Sequence, residues 1–208
     1  MYPGMVYISQ PTEYGTLYSK KELEEINKVC KEYELLLFAD GARLAYALGS
    51  SECDTSLKSI AKLCDVFYIG GTKCGALLGE AIVFTNKDIC KHFFTNMKLF
   101  GGVLAKSRVM GIQFDVLFSD GLYERLGKTG VDAAMKIKRA LIEKGYELYL
   151  DSVTNQQFIV VDDLQREKLS ENVAFGFMET LENGKHVIRF CTSWATKDED
   201  VNKLIEIL

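Results

Sequence analysis

Two side chains with possible catalytic roles follow short apolar runs of the sequence. Asp40 follows the run 35–39, and Lys73 follows the run 66–69 and a pair of glycines. If both runs are strands of one parallel sheet, the two side chains lie at its carboxyl edge, where open α/β sheets bind their ligands. A lysine held in such a crevice loses hydration, and this favours the neutral amine that attacks a carbonyl carbon to form a Schiff base. Position alone leaves open the alternative of an ordinary surface-loop lysine.

The residues around Asp40 extend this chemistry. A carboxylate at the mouth of a strand can keep a pyridine nitrogen protonated, and a protonated ring withdraws electrons from a bound substrate. Because Asp40 precedes a glycine, a simple turn is the alternative. Arg43 comes one helical turn later and is expected to face the same crevice, with an ordinary ion pair as its alternative role.

Short apolar runs alternate with helical patterns in the first half of the chain. Strands are predicted at 5–9, 35–39, 66–69 and 80–84, and helices at 20–33 and after Asp54. Ser19 and Glu22 have the spacing of a capping box for the first helix, and Asp54 is expected to cap the second. The order strand, helix, strand, helix, strand predicts an α/β fold with a mostly parallel sheet covered by helices.

Beyond Asn86 helical periodicity dominates before the pattern becomes mixed. Helices are predicted at 87–97, 106–126, 131–144 and 201–208, and strands at 158–161, 173–178 and 187–191. The mixed tail is typical of a small α+β domain. We therefore expect three parts, namely residues 1–100, a connecting long helix over 101–127 and a small domain over 128–208.

The composition excludes several classes of protein. The chain has 208 residues, 48% of them hydrophobic and 26% charged, which is enough for one domain or for a large and a small one. A net charge of -4 and a pI near 5.4 give no basic footprint for nucleic acid. No apolar run approaches the length that spans a bilayer, and the start of the chain lacks the features of a signal peptide. The 6 cysteines have no zinc or redox spacing, so we expect a cytoplasmic protein with reduced thiols, and neither nucleic acid nor a membrane as a partner.

Three separated motifs carry a family resemblance. They are LLLFADGARL, DVFYIGGTKCGALLGEAIVF and VIRFCTSWAT, and the segment VYISQPTEYGTLYSKKELEEI precedes them. In this order and spacing they resemble the threonine aldolase and β-eliminating lyase family, whose members depend on pyridoxal 5'-phosphate. The resemblance is close over residues 5–83, resumes at Val187 and is looser elsewhere.

The resemblance implies a fold, a reaction and an assembly. Residues 1–100 would be the C-terminal portion of the large, cofactor-binding domain of an aspartate aminotransferase-like α/β enzyme, and the tail its small α+β domain. The reaction would be cleavage of a β-hydroxy amino acid, L-threonine or L-allo-threonine, to glycine and an aldehyde. Alternatives are β-elimination by a related lyase and a non-catalytic remnant. A homodimer or homotetramer is implied, because the family builds its sites between subunits.

The resemblance also assigns roles to the residues at the two strand ends. Lys73 would hold the cofactor covalently, and Asp40 would pair with its pyridine nitrogen. Arg43 would contact the phenolate side of the cofactor and the carboxylate of the substrate. Each of these roles depends on the carboxyl edge of the sheet being a binding crevice.

Two further sites of the family correspond to basic residues of the second half. Arg189 matches the arginine that clamps the substrate carboxylate, and a planar guanidinium suits this role because it can bond both oxygens at once. Lys106 falls where many relatives carry an arginine that reaches the cofactor phosphate of a partner subunit. Arg108 is close enough in sequence to compete for that role.

Two features of the family are missing from this sequence. One is a glycine- and hydroxyl-rich phosphate cradle upstream of Asp40, and the other is a histidine that stacks on the pyridine ring. His92 is interpreted as a partly solvated helix residue, and nothing marks His186, on a predicted strand, as a catalytic base. We therefore expect an N-terminally truncated member that, purified alone, binds the cofactor weakly or not at all and has little activity.

Overall fold

The computed structural model describes residues 2–208, which divide into two compact units. Unit 1 comprises the chain up to Gln10, Tyr18–Ala45 and Asp54–Tyr123, and unit 2 comprises Pro11–Leu17, Tyr46–Cys53 and Glu124–Leu208. The first half of the chain therefore contributes two short segments to unit 2. The predicted boundaries near residues 100 and 127 stay a prediction.

Unit 1 is built on a four-stranded sheet in the order β1-β2-β3-β4. Its strands are β1 (Met5–Ser9), β2 (Leu36–Asp40), β3 (Val66–Ile69) and β4 (Ala81–Phe84), and its first helices are α1 (Lys20–Glu32) and α3 (Leu57–Leu63). The strands β1, β2 and β3 run parallel, whereas β4 is antiparallel to β3. A loop without a helix joins β3 to β4, and such a connection cannot make the crossover that a parallel pair needs. The predicted α/β fold with a mostly parallel sheet is confirmed.

The sequence predicts the N-terminal cap of α1 correctly but not that of α3. The capping box of α1 is present, with the Ser19 hydroxyl accepting from the Glu22 N–H and the Glu22 carboxylate accepting from the Ser19 N–H. The expected cap of α3 is wrong, because Ser56 rather than Asp54 is its N-cap. Asp54 instead accepts a 2.8 Å hydrogen bond from the backbone N–H of Lys20, so it satisfies a donor at the start of α1.

The helical segments after β4 are divided differently from the predicted ranges. Helix α2 (Leu44–Leu48) lies before α3. After β4 come a 3-10 turn (Lys87–Cys90), α4 (Phe93–Leu99), α5 (Arg108–Leu117), a 3-10 turn (Ser119–Gly121) and α6 (Leu122–Glu143). His92 has φ 63° and Asp120 has φ 52°, and a left-handed residue interrupts helical hydrogen bonding. His92 is thus the N-cap residue of α4 rather than a residue within a helix. The range 101–127 contains α5, a turn and the start of α6 instead of one helix.

Unit 2 contains a four-stranded antiparallel sheet in the order β5-β6-β8-β7, with helices α6, α7 and α8. The strands are β5 (Glu147–Leu148), β6 (Gln156–Val161), β7 (Gly176–Thr180) and β8 (His186–Cys191), and the helices after α6 are α7 (Asp163–Ser170) and α8 (Asp198–Ile207). The core of this unit joins α6, the two central strands and α8 through Ile137, Leu141, Ile159, Ile188 and Val201. The tryptophan of the chain, Trp194, is 41% exposed, and its backbone N–H donates to the hydroxyl of Tyr46 over 3.4 Å.

Within residues 2–208 no helix is long and apolar enough to cross a membrane. The same part of the chain holds no group of three or more histidine, cysteine, aspartate or glutamate side chains that could bind a metal ion.

Candidate functional site

The ends of β2 and β3 approach each other closely because both strands are followed by glycine. The backbone N–H of Gly70 donates to the carbonyl oxygen of Gly41 over 2.9 Å. A Cβ atom on Gly41 would overlap the carbonyl oxygen of Tyr68, and one on Gly70 would overlap that of Ala42. Glycine at both positions therefore allows the close approach, which brings the residues that follow each strand to one edge of the sheet.

Asp40 is the last residue of β2 and lies within a set of hydrogen-bond donors. Its Oδ2 accepts from the hydroxyl of Tyr7, and its Oδ1 accepts from the backbone N–H of Ala42 over 2.9 Å. The hydroxyl of Tyr68 also donates to this carboxylate. The two tyrosines belong to the neighbouring strands β1 and β3, so Asp40 is bonded from both sides.

These donors decide the protonation state of Asp40. Burial raises the pKa of the Asp40 carboxyl, but the hydrogen bonds from Tyr68, Tyr7 and Ala42 and the positive charge of Lys73 outweigh burial. The net effect is a pKa below the ordinary value, so Asp40 is an anion at neutral pH. Conversely, burial and the bonded Asp40 carboxylate raise the pKa of Tyr68, which stays a hydroxyl donor.

Lys73 lies in the turn that follows β3, and hydrogen bonds fix the first residues of that turn. The Glu80 carboxylate accepts from the backbone N–H of Gly71, and its Oε1 accepts from the Thr72 hydroxyl over 2.9 Å. The buried Tyr123 hydroxyl donates to the carbonyl oxygen of Gly70 over 2.8 Å. The backbone on the N-terminal side of Lys73 is therefore restrained from two directions.

Helix α5 restrains the loop on the C-terminal side of Lys73. The Gln113 Oε1 accepts from the backbone N–H of Leu77 over 2.6 Å, and its Nε2 donates to the carbonyl oxygen of Leu78 over 3.2 Å. The Phe114 ring lies so close to Gly71 that an added Cβ atom would be 2.8 Å from the ring. One face of α5 thus holds the lysine loop against the sheet.

The structure places Asp40 and Lys73 after adjacent strands but leaves the lysine accessible to solvent. The charge of Lys73 acts on Asp40, as its effect on the Asp40 pKa shows. Lys73 itself is exposed, which differs from the crevice that the sequence predicts. The turn 72–75, which carries Lys73, lies beyond the end of β3.

The other basic residues of unit 1 that the sequence singles out are half-buried or exposed. Arg43 is half-buried in the turn before α2, and among residues 2–208 it makes no ion pair with Asp40, which was the alternative role that the sequence left open. Lys106 is exposed in the turn that precedes α5, and Arg108 is the exposed first residue of that helix. These positions do not decide whether Lys106 or Arg108 is better placed to reach the cofactor phosphate of a partner subunit.

Arg189 belongs to unit 2, in the middle of β8. It is half-buried, and its Nη1 donates to the Oε1 of Gln156 over 2.9 Å. His186, at the start of β8, is bonded to the Thr180 hydroxyl through Nδ1 and to Asp163 through Nε2. These two bonds join β8 to Thr180 of β7 and to Asp163 of α7, so the role of His186 is structural.

The sequence did not identify Tyr7, Tyr68, Glu80 or Gln156. The two tyrosines occur within apolar, β-rich runs and are read there as core or sheet residues. A usable signal is strand alternation, because Tyr7 pairs with Phe38 and Phe38 pairs with Val66, which places both tyrosines on the face of the sheet that carries Asp40.

Comparison with known proteins gives three findings. Residues 2–176 match the family model of the β-eliminating lyases. The chain is similar to low specificity L-threonine aldolases of Pseudomonas sp. (strain NCIMB 10558), with 30% identity over 203 residues, and of Pseudomonas aeruginosa, with 32% identity over 207 residues. Each alignment covers 97% of this chain and 58% of the relative. The structure is similar to that of a Leishmania major threonine aldolase, with a TM-score of 0.96 and 40% identity over 100% of this chain and 60% of the other.

Proposed function

The chain belongs to the β-eliminating lyase family, and from this premise we propose that it supplies the lysine- and aspartate-bearing part of a pyridoxal 5'-phosphate-dependent lyase. The proposed reaction is the cleavage of L-threonine or L-allo-threonine to glycine and an aldehyde, which the names of the relatives support. The chain spans 58% of the length of these relatives. The observation that carries the proposal is the placement of Asp40 at the end of β2 and of Lys73 in the turn after the adjacent strand β3.

The donor set around Asp40 fits this cofactor. A carboxylate that stays ionised at neutral pH can accept a hydrogen bond from a protonated pyridine nitrogen and stabilise its charge. Asp40 has the lowered pKa that this requires, and the amine of Lys73 lies at the neighbouring strand end. When bound, pyridoxal phosphate supplies an electron sink for the carbanion that forms at the α-carbon of an amino acid.

The residues of the chain would bind and orient the reactants. Lys73 would hold the cofactor through its Nζ, and the same amine would be available to carry a proton. Arg43 and Arg189 are proposed to bind the substrate carboxylate, and Lys106 or Arg108 the cofactor phosphate of a partner subunit. Fixing the carboxylate decides which bond of the α-carbon is broken, and such orientation contributes up to about 7–11 kcal/mol in intramolecular reactions.

Trapping with borohydride tests the role of Lys73. The chain is incubated with pyridoxal phosphate and reduced with sodium borohydride, and the modified peptides are identified by mass spectrometry. We expect the adduct to be enriched on Lys73 in the wild type and in Lys21→Ala, whose lysine is 85% exposed on α1, and to be lost in Lys73→Ala. A uniform distribution over exposed lysines, or no adduct at saturating cofactor, contradicts the proposal and favours a non-catalytic remnant.

Analysis of the products separates two reactions of the family. Glycine and acetaldehyde from L-threonine support the aldol cleavage. Pyruvate and ammonia from L-serine in the absence of those products favour β-elimination, the second candidate, which the description of the matched family supports.

We also propose a homodimer or homotetramer in the cytoplasm. Among the described residues none of the six cysteines is in a disulfide, which fits a reducing compartment. Oligomerisation is supported by the exposed apolar side chains of unit 1, such as Phe94 and Phe100.

A further inference from the structure

Gln156 is a fully buried polar residue that contacts Arg189. It opens β6 with 0% of its surface exposed, and its Oε1 accepts the 2.9 Å hydrogen bond from Arg189 Nη1. Phe158 pairs with Arg189 in the register of β6 and β8. Gln156 lies two residues earlier on the same face of the strand, so it reaches the guanidinium diagonally.

Three contacts determine the orientation of the Gln156 amide. Besides Arg189, the thiol of Cys191 donates to its Oε1 over 3.9 Å. Its Nε2 donates to the carbonyl oxygen of Glu13 over 3.2 Å. A flipped amide would place its N–H groups against the guanidinium, which can only donate. The oxygen of Gln156 therefore faces Arg189, and the segment that carries Glu13 locks it there.

The backbone of β7 shapes the other side of the guanidinium. A Cβ atom on Gly176 would be 3.3 Å from Arg189 Nε and 3.5 Å from Nη2. In residues 2–208 the Nε of Arg189 is buried without a hydrogen-bond partner. Two strands and one amide thus restrain the side chain, although they leave part of its bonding capacity unused.

The positive charge of Arg189 has no carboxylate partner among the described residues. Gln156 is neutral, so it orients the guanidinium without cancelling its charge. A glutamate at the same position would form a charge-assisted pair and compete with any external anion.

We propose that Gln156 is a positioning residue, and that its neutral amide holds Arg189 in place while keeping its charge available to the carboxylate of the amino-acid substrate. This inference rests on the proposed function, because it requires that the substrate is an amino acid. It assigns no chemical step to Gln156. Its effect is exerted through Arg189 alone.

Nuclear magnetic resonance of the full chain without cofactor tests the proposal. The Nε–H signal of Arg189 is followed while L-threonine is added, with L-threoninol, which lacks the carboxylate, as the comparison ligand. We expect a saturable shift with L-threonine and none with L-threoninol. Gln156→Glu should weaken the apparent affinity for L-threonine at least about tenfold, since the new carboxylate pairs with Arg189 and competes with the carboxylate of the ligand.

Gln157→Glu is the matched control. Gln157 is 1% exposed on the opposite face of β6 and donates to the carbonyl oxygen of Thr154, so the same substitution buries a charge away from Arg189. Gln156→Met provides a neutral variant that removes the bond, and it should broaden the Nε–H signal and weaken binding.

The outcomes separate this inference from the proposed function. An unmoved Arg189 signal in the wild type, or equal affinities for Gln156→Glu and Gln157→Glu, overturns the role of Gln156 even if borohydride traps cofactor on Lys73. If no cofactor is trapped on Lys73 but Arg189 responds as expected, the proposed lyase function fails and the carboxylate site remains.

Discussion

At the scale of single residues, the site depends on how one carboxylate is held. Tyr7 and Tyr68 donate to Asp40 from the strands on either side, and Ala42 adds a backbone donor. The position of Asp40 after an apolar run could be predicted from the sequence. The two tyrosines were not predicted, because strand alternation places them beside Asp40 only once the pairing of three strands that are distant along the chain is known.

Removing one hydroxyl should change the titration of Asp40. In Tyr68→Phe we expect the pKa of Asp40 to rise, because one of the hydrogen bonds that stabilise its charged form is lost. The measurement is a carbon NMR titration of the aspartate carboxyl groups. Tyr33→Phe is the control, since Tyr33 is 67% exposed and is not among the groups that shift the pKa of Asp40. An unchanged Asp40 curve in Tyr68→Phe contradicts the assigned cause.

The lowered pKa of Asp40 also determines how the stability of the folded chain changes with pH. The lowered pKa of folded Asp40 means that its ionised form stabilises the native state at neutral pH, and that this contribution is lost as the pH falls through the lowered value. In Tyr68→Phe the loss should therefore begin at a higher pH than in the wild type.

At the scale of elements, the sequence predicts which helices and strands exist better than it predicts where they begin and end. All three parallel strands were found close to their predicted ranges, because each is a short, continuous apolar run. The helix over 101–127 was not found, because α5 ends at Leu117 and a turn with the left-handed Asp120 separates it from α6, which begins at Leu122. An aspartate-glycine pair is compatible with a turn or with a helix terminus, and only the surrounding packing decides between them.

Alanine substitutions at one crowded glycine and at one glycine with open space around it test the close approach of the strand ends. Gly70→Ala should destabilise the chain by about 1–3 kcal/mol or more, because its new Cβ atom overlaps a carbonyl oxygen of the neighbouring loop. Gly111→Ala, in the middle of α5 with no atom within 4 Å of the added Cβ atom, should stabilise it by about 0.5–1 kcal/mol. Urea unfolding of both variants measures the two changes. Equal effects of the same sign contradict the packing described for Gly70.

At the scale of the whole molecule, exposed apolar residues predict self-association. Val109, Ile112 and Val116 follow one another at helical spacing on α5, and each is about half exposed, at 51%, 49% and 53%. Contiguous apolar surface of this kind is typical of an interface between proteins. The sequence predicts an apolar face for this helix, but it does not distinguish a face that packs inward from one left in contact with solvent.

Ile112→Lys should shift the chain towards the monomer. A charge within the apolar stripe opposes its burial between two copies, while an exposed helix position tolerates lysine. Sedimentation velocity over a range of concentrations measures the shift. Asp115→Asn, on the same helix, makes an equal change of net charge without altering the stripe. If Ile112→Lys and the wild type have the same distribution, α5 is not part of the interface.

The position of Trp194 gives the protein a built-in optical probe. Trp194 and its partner Tyr46 both belong to unit 2, so indole fluorescence follows the melting of that unit alone. Far-ultraviolet circular dichroism, by contrast, sums over the helices and strands of both. Superimposable denaturation curves from the two signals would identify one cooperative transition, and separated midpoints would reveal a partly folded state.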